Sequence, residues 1–114
     1  MENIIYMELR RRGFLVDVGV VEIREKNAEG HLQRKQLEID FVANLGSRRY
    51  YIQSAYEIPD EIKQTQEIKS FNHTRDSFKK IILVEKRMKP KRDERGYVTM
   101  GVREFLLDRN SLDL

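Results

Sequence analysis

The sequence predicts an α/β sandwich, in which a sheet of mixed strands is covered by helices. Three observations lead there. A helical pattern at the start gives way to three short runs with strand-like alternation, joined by tight polar turns. A second helix then opens at Pro59 and is followed by the uninterrupted apolar run Ile81-Ile82-Leu83-Val84, the mark of a central parallel strand. The 114 residues are 39% hydrophobic, enough for one two-layer core in a single domain spanning residues 1–114.

The first helix is expected over Glu2–Arg12, with Ile5 and Leu9 four apart on its inner side. Arg10, Arg11 and Arg12 suit the negative end of its dipole, and Gly13 ends it. Strands follow over Phe14–Glu25, Arg34–Ala43 and Arg48–Tyr56. The second shows regular alternation, Leu37, Ile39 and Phe41 against Glu38, Asp40 and Val42. Polar turns at 26–30 and 44–47 make the three an antiparallel meander. Pro59 at N1, with Asp60 and Glu61 in the first turn, starts a helix running to Phe71. A strand over Lys79–Glu85, a short edge strand over Gly96–Met100 and a short helix over Val102–Asp108 complete the order. The chain shows no internal repeat, linker or low-complexity tract.

Composition removes several function classes. With no cysteine, disulfides, thiolate zinc fingers and thiol catalysis are excluded. No segment approaches the roughly 20 apolar residues that a membrane helix needs, and the charged start carries no signal-peptide core. No membrane partner is therefore expected, and the cytoplasm is the expected compartment. No Gly-rich phosphate loop occurs, so an ATPase site is not in this chain. His31 and His73 lack metal-ligand spacing and are expected at the surface. Tyr50 and Tyr51 are adjacent on a strand, so they face opposite sides, with one expected in the core. The net charge of +3 is unevenly placed. Residues 79–95 carry eight basic side chains against Glu85, Asp93 and Glu94. Lys86, Arg87, Lys89, Lys91 and Arg92 form the densest part, and such a run attracts phosphates or simply keeps a loop solvated.

One constellation carries metal chemistry. The second hairpin sets Asp40 and Gln53 side by side, and the first helix can add Glu2. Oxygen ligands converging in this way would hold Mg²⁺ beside a phosphodiester. The phrases Glu2-Asn3-Ile4-Ile5-Tyr6-Met7-Glu8-Leu9-Arg10-Arg11-Arg12-Gly13, Leu37-Glu38-Ile39-Asp40-Phe41-Val42 and Tyr51-Ile52-Gln53-Ser54-Ala55 resemble the C-terminal domain of prokaryotic AAA-type ATPases. That domain has the restriction-endonuclease-like fold of the PD-(D/E)XK nuclease superfamily. The similarity extends to Phe105-Leu106-Leu107.

The resemblance implies an αβββαβ core and an ATPase domain upstream in a longer chain. It implies that Glu2 is the helix glutamate and Asp40 the metal-binding aspartate. Gln53 stands where the second acidic ligand belongs, and Ala55 where the lysine belongs. An amide oxygen offers a dipole in place of a charge. Loss of one preorganised group of the lysine's kind costs about 10²–10³ in rate. Lys63 on the second helix is the candidate substitute. The expectation is therefore a degenerate site, with metal binding at Glu2, Asp40 and Gln53 weak or lost and Mg²⁺ the only cofactor to consider. The expected role is DNA-binding or regulatory, with the basic loop holding DNA. The rivals are a Mg²⁺-dependent DNA endonuclease and a protein-interaction domain that meets no nucleic acid.

Overall fold

The computed structural model describes residues 1–55 and 69–114. Helix α1 (Glu2–Arg11) leads into strands β1 (Leu15–Lys26), β2 (Leu32–Leu45) and β3 (Arg48–Ala55). Helix α2 (Lys69–Asn72), strand β4 (Lys79–Val84), strands β5 (Lys91–Arg92) and β6 (Val98–Gly101), helix α3 (Val102–Leu107) and a 3₁₀ turn (Ser111–Asp113) follow. The six strands form one mixed sheet in the order β1-β2-β3-β4-β6-β5. The predicted meander is present, with β1–β2 and β2–β3 antiparallel. Strands β3, β4 and β6 run parallel to one another. The helix expected over Pro59–Phe71 falls mostly outside the described residues, and α2 overlaps its end. Strand β6 is not an edge, because β5 pairs along its outer side.

Gly13 ends α1 as its position predicts. It takes φ +93°, and the Gly13 and Phe14 amides donate to the Arg10 and Leu9 carbonyls at 3.0 and 3.1 Å. The sheet then separates two apolar clusters. On the α1 side, Ile5 and Leu9 pack on Phe41, Ala43, Ile52, Ile81 and Leu83. On the α2 side, Phe71 packs on Ile39, Val42, Tyr51, Ile82 and Val84. Both Tyr50 and Tyr51 are buried, one in each cluster, so opposite faces is right and a single core tyrosine is not.

The regular alternation predicted for the second strand is broken. Asp17 pairs with Val42 and Gly19 with Ile39, so two steps along β1 span three along β2. The extra residue is a β-bulge at Asp40–Phe41. It places Ile39 and Val42 in the same cluster and turns Asp40 to the side of Phe41. Gly19 marks the other half of this feature. A Cβ there would stand 2.8 Å from Val42 Cγ2 and 3.0 Å from Ile39 Cβ, so a side chain has no room.

Candidate functional site

The bulge decides what Asp40 meets. Its Oδ2 accepts hydrogen bonds from the Ser54 amide at 2.8 Å and the Ser54 hydroxyl at 3.1 Å. The same hydroxyl lies 3.2 Å from Glu2 Oε1 on α1. Glu2 and Asp40 therefore converge at Ser54 on the α1 face. They open on a shallow recess of 380 Å³ that Glu38, Tyr6 and Val18 also line. Ser54 and Glu38 are members that sequence reasoning missed. The signal for Ser54 was available, since strand alternation sets it on the side of the core residue Ile52.

Gln53 does not join them. As a neighbour of Ile52 and Ser54 on β3, it projects to the α2 side, where it is 7% exposed. Its Oε1 accepts the Asp40 amide at 2.7 Å, and its Nε2 donates to Ser70 Oγ at 2.9 Å and to the Glu38 carbonyl at 3.1 Å. The shared notch expected for Asp40 and Gln53 is not formed. The two residues are adjacent across the ladder, but the bulge sends the carboxylate to one face while the amide stays on the other. Ala55 follows Gln53 to the α2 side and packs against the apolar cluster there. Lys63 lies outside the described residues. Among the described residues no group of three or more His, Cys, Asp or Glu side chains is placed to hold a metal ion. The predicted ligand set Glu2, Asp40 and Gln53 thus does not fit one cation, and Asp40 makes no ion pair among the described residues.

The predicted basic segment is well defined. Lys86, Arg87, Lys89, Lys91 and Arg92 are all exposed, and none forms an ion pair among the described residues. The loop leaves the sheet after Val84, which lies beside Ala55 at the carboxyl ends of β3 and β4. Lys86 and Arg87 therefore share a sheet edge with Ser54, the position at which open α/β sheets bind ligands. Met88 pins the loop. Its carbonyl accepts the Gly101 amide at 2.9 Å, and its side chain packs against the α2-side cluster. A Cβ on Gly101 would stand 2.6 Å from the Lys86 carbonyl oxygen and 2.9 Å from the Met88 nitrogen. Only glycine admits the loop so close. Farther along, Lys91 and Arg92 run down β5 toward the other edge of the sheet.

Comparison with known proteins adds little identity. No family profile matches this chain. No solved structure matches it either. An uncharacterized protein of Haemophilus influenzae is 36% identical over 86 residues. That match covers 75% of this chain and 18% of the relative, so the chain spans less than a fifth of the protein it resembles.

Proposed function

We propose that this chain is a nuclease-fold module of the kind carried at the C-terminus of AAA-type ATPases, and that it binds duplex DNA without strong catalysis of its own. The observation that carries the reading is the loop of exposed cations Lys86, Arg87 and Lys89, without ion pairs among the described residues and pinned at Met88 on the carboxyl edge of the parallel strands. Cations that have no carboxylate partner and are held in place can neutralise phosphates at small ordering cost. Weak catalysis follows from Ala55 and Gln53. The lysine position is an alanine against the apolar cluster, and the second-ligand position is an amide bonded on the face away from the Asp40 carboxylate. The order of helix, meander, parallel strand and short C-terminal strand and helix supports the nuclease-fold assignment.

A second reading, a Mg²⁺-dependent nuclease, is favoured by one observation, the meeting of Glu2 and Asp40 at Ser54. One pair of measurements separates the two. Duplex affinity is followed by fluorescence anisotropy between about 50 and 200 mM salt for the native chain and for Lys86→Ala/Arg87→Ala/Lys89→Ala. The binding reading expects a marked loss of affinity and a salt slope shallower by about 2–3, one unit for each lost phosphate contact. An unchanged slope removes it. Incubation of plasmid DNA with Mg²⁺ or Mn²⁺ gives no robust cleavage on this reading. Cleavage abolished by Asp40→Ala would establish the nuclease instead.

A further inference from the structure

At the opposite edge of the sheet, where β4 and β6 begin, lies a groove of 610 Å³ that the duplex-binding reading does not use. Its cations are Arg75, Lys79, Lys80, Arg92 and Arg95, and its carboxylate is Asp76. Asp76 is turned inward. Its Oδ2 accepts the Tyr51 hydroxyl at 2.7 Å, while Oδ1 accepts the Phe78 amide at 3.1 Å and Lys80 Nζ at 3.2 Å. Lys80 is equally absorbed, donating also to the Phe78 and Asp76 carbonyls at 2.7 and 3.1 Å. That leaves Arg75 and Arg92 in the groove without a carboxylate partner among the described residues, while Lys79 Nζ donates to the Leu114 carbonyl and Arg95 is held by Asp93 at 3.5 Å.

Arg92 stands near enough for Lys79 to feel its charge, against the opposing pull of the Asp113 carboxylate. Burial and the Arg92 charge hold the Lys79 ammonium below its ordinary value. Like charges placed together around a concavity create a potential that an anion relieves. Arg75 adds a further sign of a fixed arrangement, with φ +57° in the left-handed region that an arginine seldom adopts. The rim is aromatic. Phe78 is 40% exposed, with the Arg49 guanidinium 5.4 Å from its ring centroid. Tyr97 carries Arg95 at 5.2 Å. A volume of this size suits one or two nucleotide units. Cations that follow a backbone beside an exposed π surface are the requirements for single-stranded nucleic acid.

We propose that this groove is a second site, which binds single-stranded nucleic acid with its phosphates on Arg75 and Arg92 and a base against Phe78. It stands independently of the duplex reading, because the two sets of residues occupy opposite edges of the sheet. The test is anisotropy of a labelled oligothymidylate of about 12 nucleotides against the full chain at low salt. Arg75→Asn/Arg92→Gln keeps a residue that tolerates the left-handed backbone at 75. It is expected to lower single-strand affinity tenfold or more while leaving duplex affinity within about twofold. Phe78→Leu removes the stacking surface and keeps apolar bulk. It is expected to lower single-strand affinity at least fivefold, in line with the alanine-scan range for base stacking. Lys86→Ala/Arg87→Ala/Lys89→Ala is expected to spare the single strand. The proposal fails if both groove variants bind oligothymidylate as the native chain does. It fails equally if single-strand and duplex affinities fall together in the groove variants, or if the loop variant alone abolishes both. Circular dichroism of each variant establishes that the chain is folded. Should the double variant unfold, Phe78→Leu decides the matter.

Discussion

Gln53 joins two strands and a helix through one amide. Its oxygen accepts from the Asp40 backbone, and its nitrogen donates to Ser70 and to the Glu38 carbonyl. The bond to Ser70 is buried and the two to β2 are part-buried, so removing the amide leaves polar groups poorly satisfied. Gln53→Leu conserves size and is expected to destabilise the fold by about 2–3 kcal/mol, mostly from the Asp40 amide and the Ser70 hydroxyl. Urea denaturation measures this, and a loss under about 0.5 kcal/mol would contradict it. The prediction has a bearing on chemistry too. A residue expected as a metal ligand is here fully engaged in holding the bulge, whereas Ser54, one position along, is the group that touches both carboxylates. The residue types of the site were legible in the sequence. Their directions were not, because direction on a strand depends on counting from an unbroken register.

The bulge in β2 is where that counting fails, and it is also where the sequence held a trace. Along β1, Val16, Val18 and Val20 alternate with Asp17 and Gly19, a pattern of period two. An isolated glycine in a strand is a bulge signal, and this one pairs with Ile39, next to the added residue of the partner strand. Gly19→Val is expected to cost about 1–3 kcal/mol, since its side chain must displace Val42 and Ile39. Hydrogen exchange at the Asp40 amide, bonded to Gln53, should accelerate in the variant. Retained protection there would separate the bulge from Gly19. Element boundaries and the meander were otherwise legible, because turn residues and period-two patterning act locally. The tie between the two ends of the chain was not. Arg12, with a side chain 4% exposed, bonds Glu8 at 2.6 Å, the Asp108 carbonyl at 3.1 Å and Ser111 Oγ at 3.2 Å. Its guanidinium also lies 4.4 Å from the Phe105 ring centroid. The triple arginine reads from sequence as cations suited to the helix dipole, yet its last member locks α1 to the C-terminal segment. Glu8→Leu strands that buried charge and is expected to cost about 3 kcal/mol in thermal or urea unfolding. Arg12→Met/Glu8→Leu removes both charges together and should recover part of the loss.

Across the whole molecule, the paired carboxylates set how stability follows pH. Glu8 lies below its ordinary 4.5, chiefly through the hydrogen bond from Arg11, with Arg12 adding to it against the cost of burial. Asp76 lies below its ordinary 3.8 although burial opposes ionisation, because bonds from Tyr51, Lys80 and the Phe78 amide outweigh it. Both are depressed carboxylates, so the unfolded chain binds protons more readily than the folded one as pH falls. Their stabilisation is complete above the unfolded values and is lost as pH drops through the folded ones. At the alkaline end the sign reverses. Burial raises the Tyr50 and Tyr51 hydroxyls above 10.0, with hydrogen bonds to the Asp113 and Asp76 carboxylates adding to it. That contribution is present below the unfolded value and disappears as pH rises through the folded one. The urea midpoint should therefore be level between about pH 6 and 9 and fall on both sides. Asp76 links the two limbs, since it is the partner of both Lys80 and Tyr51. Asp76→Asn keeps the shape of the turn but removes the charge. It is expected to lower stability at neutral pH, to flatten the decline below about pH 4, and to weaken the alkaline decline from Tyr51. An acid limb as steep in Asp76→Asn as in the native chain would transfer the effect to Glu8. The same substitution bears on the nucleic-acid groove. With the inward carboxylate gone, Lys80 loses its counter-charge, and single-strand affinity at neutral pH should rise even as the fold weakens.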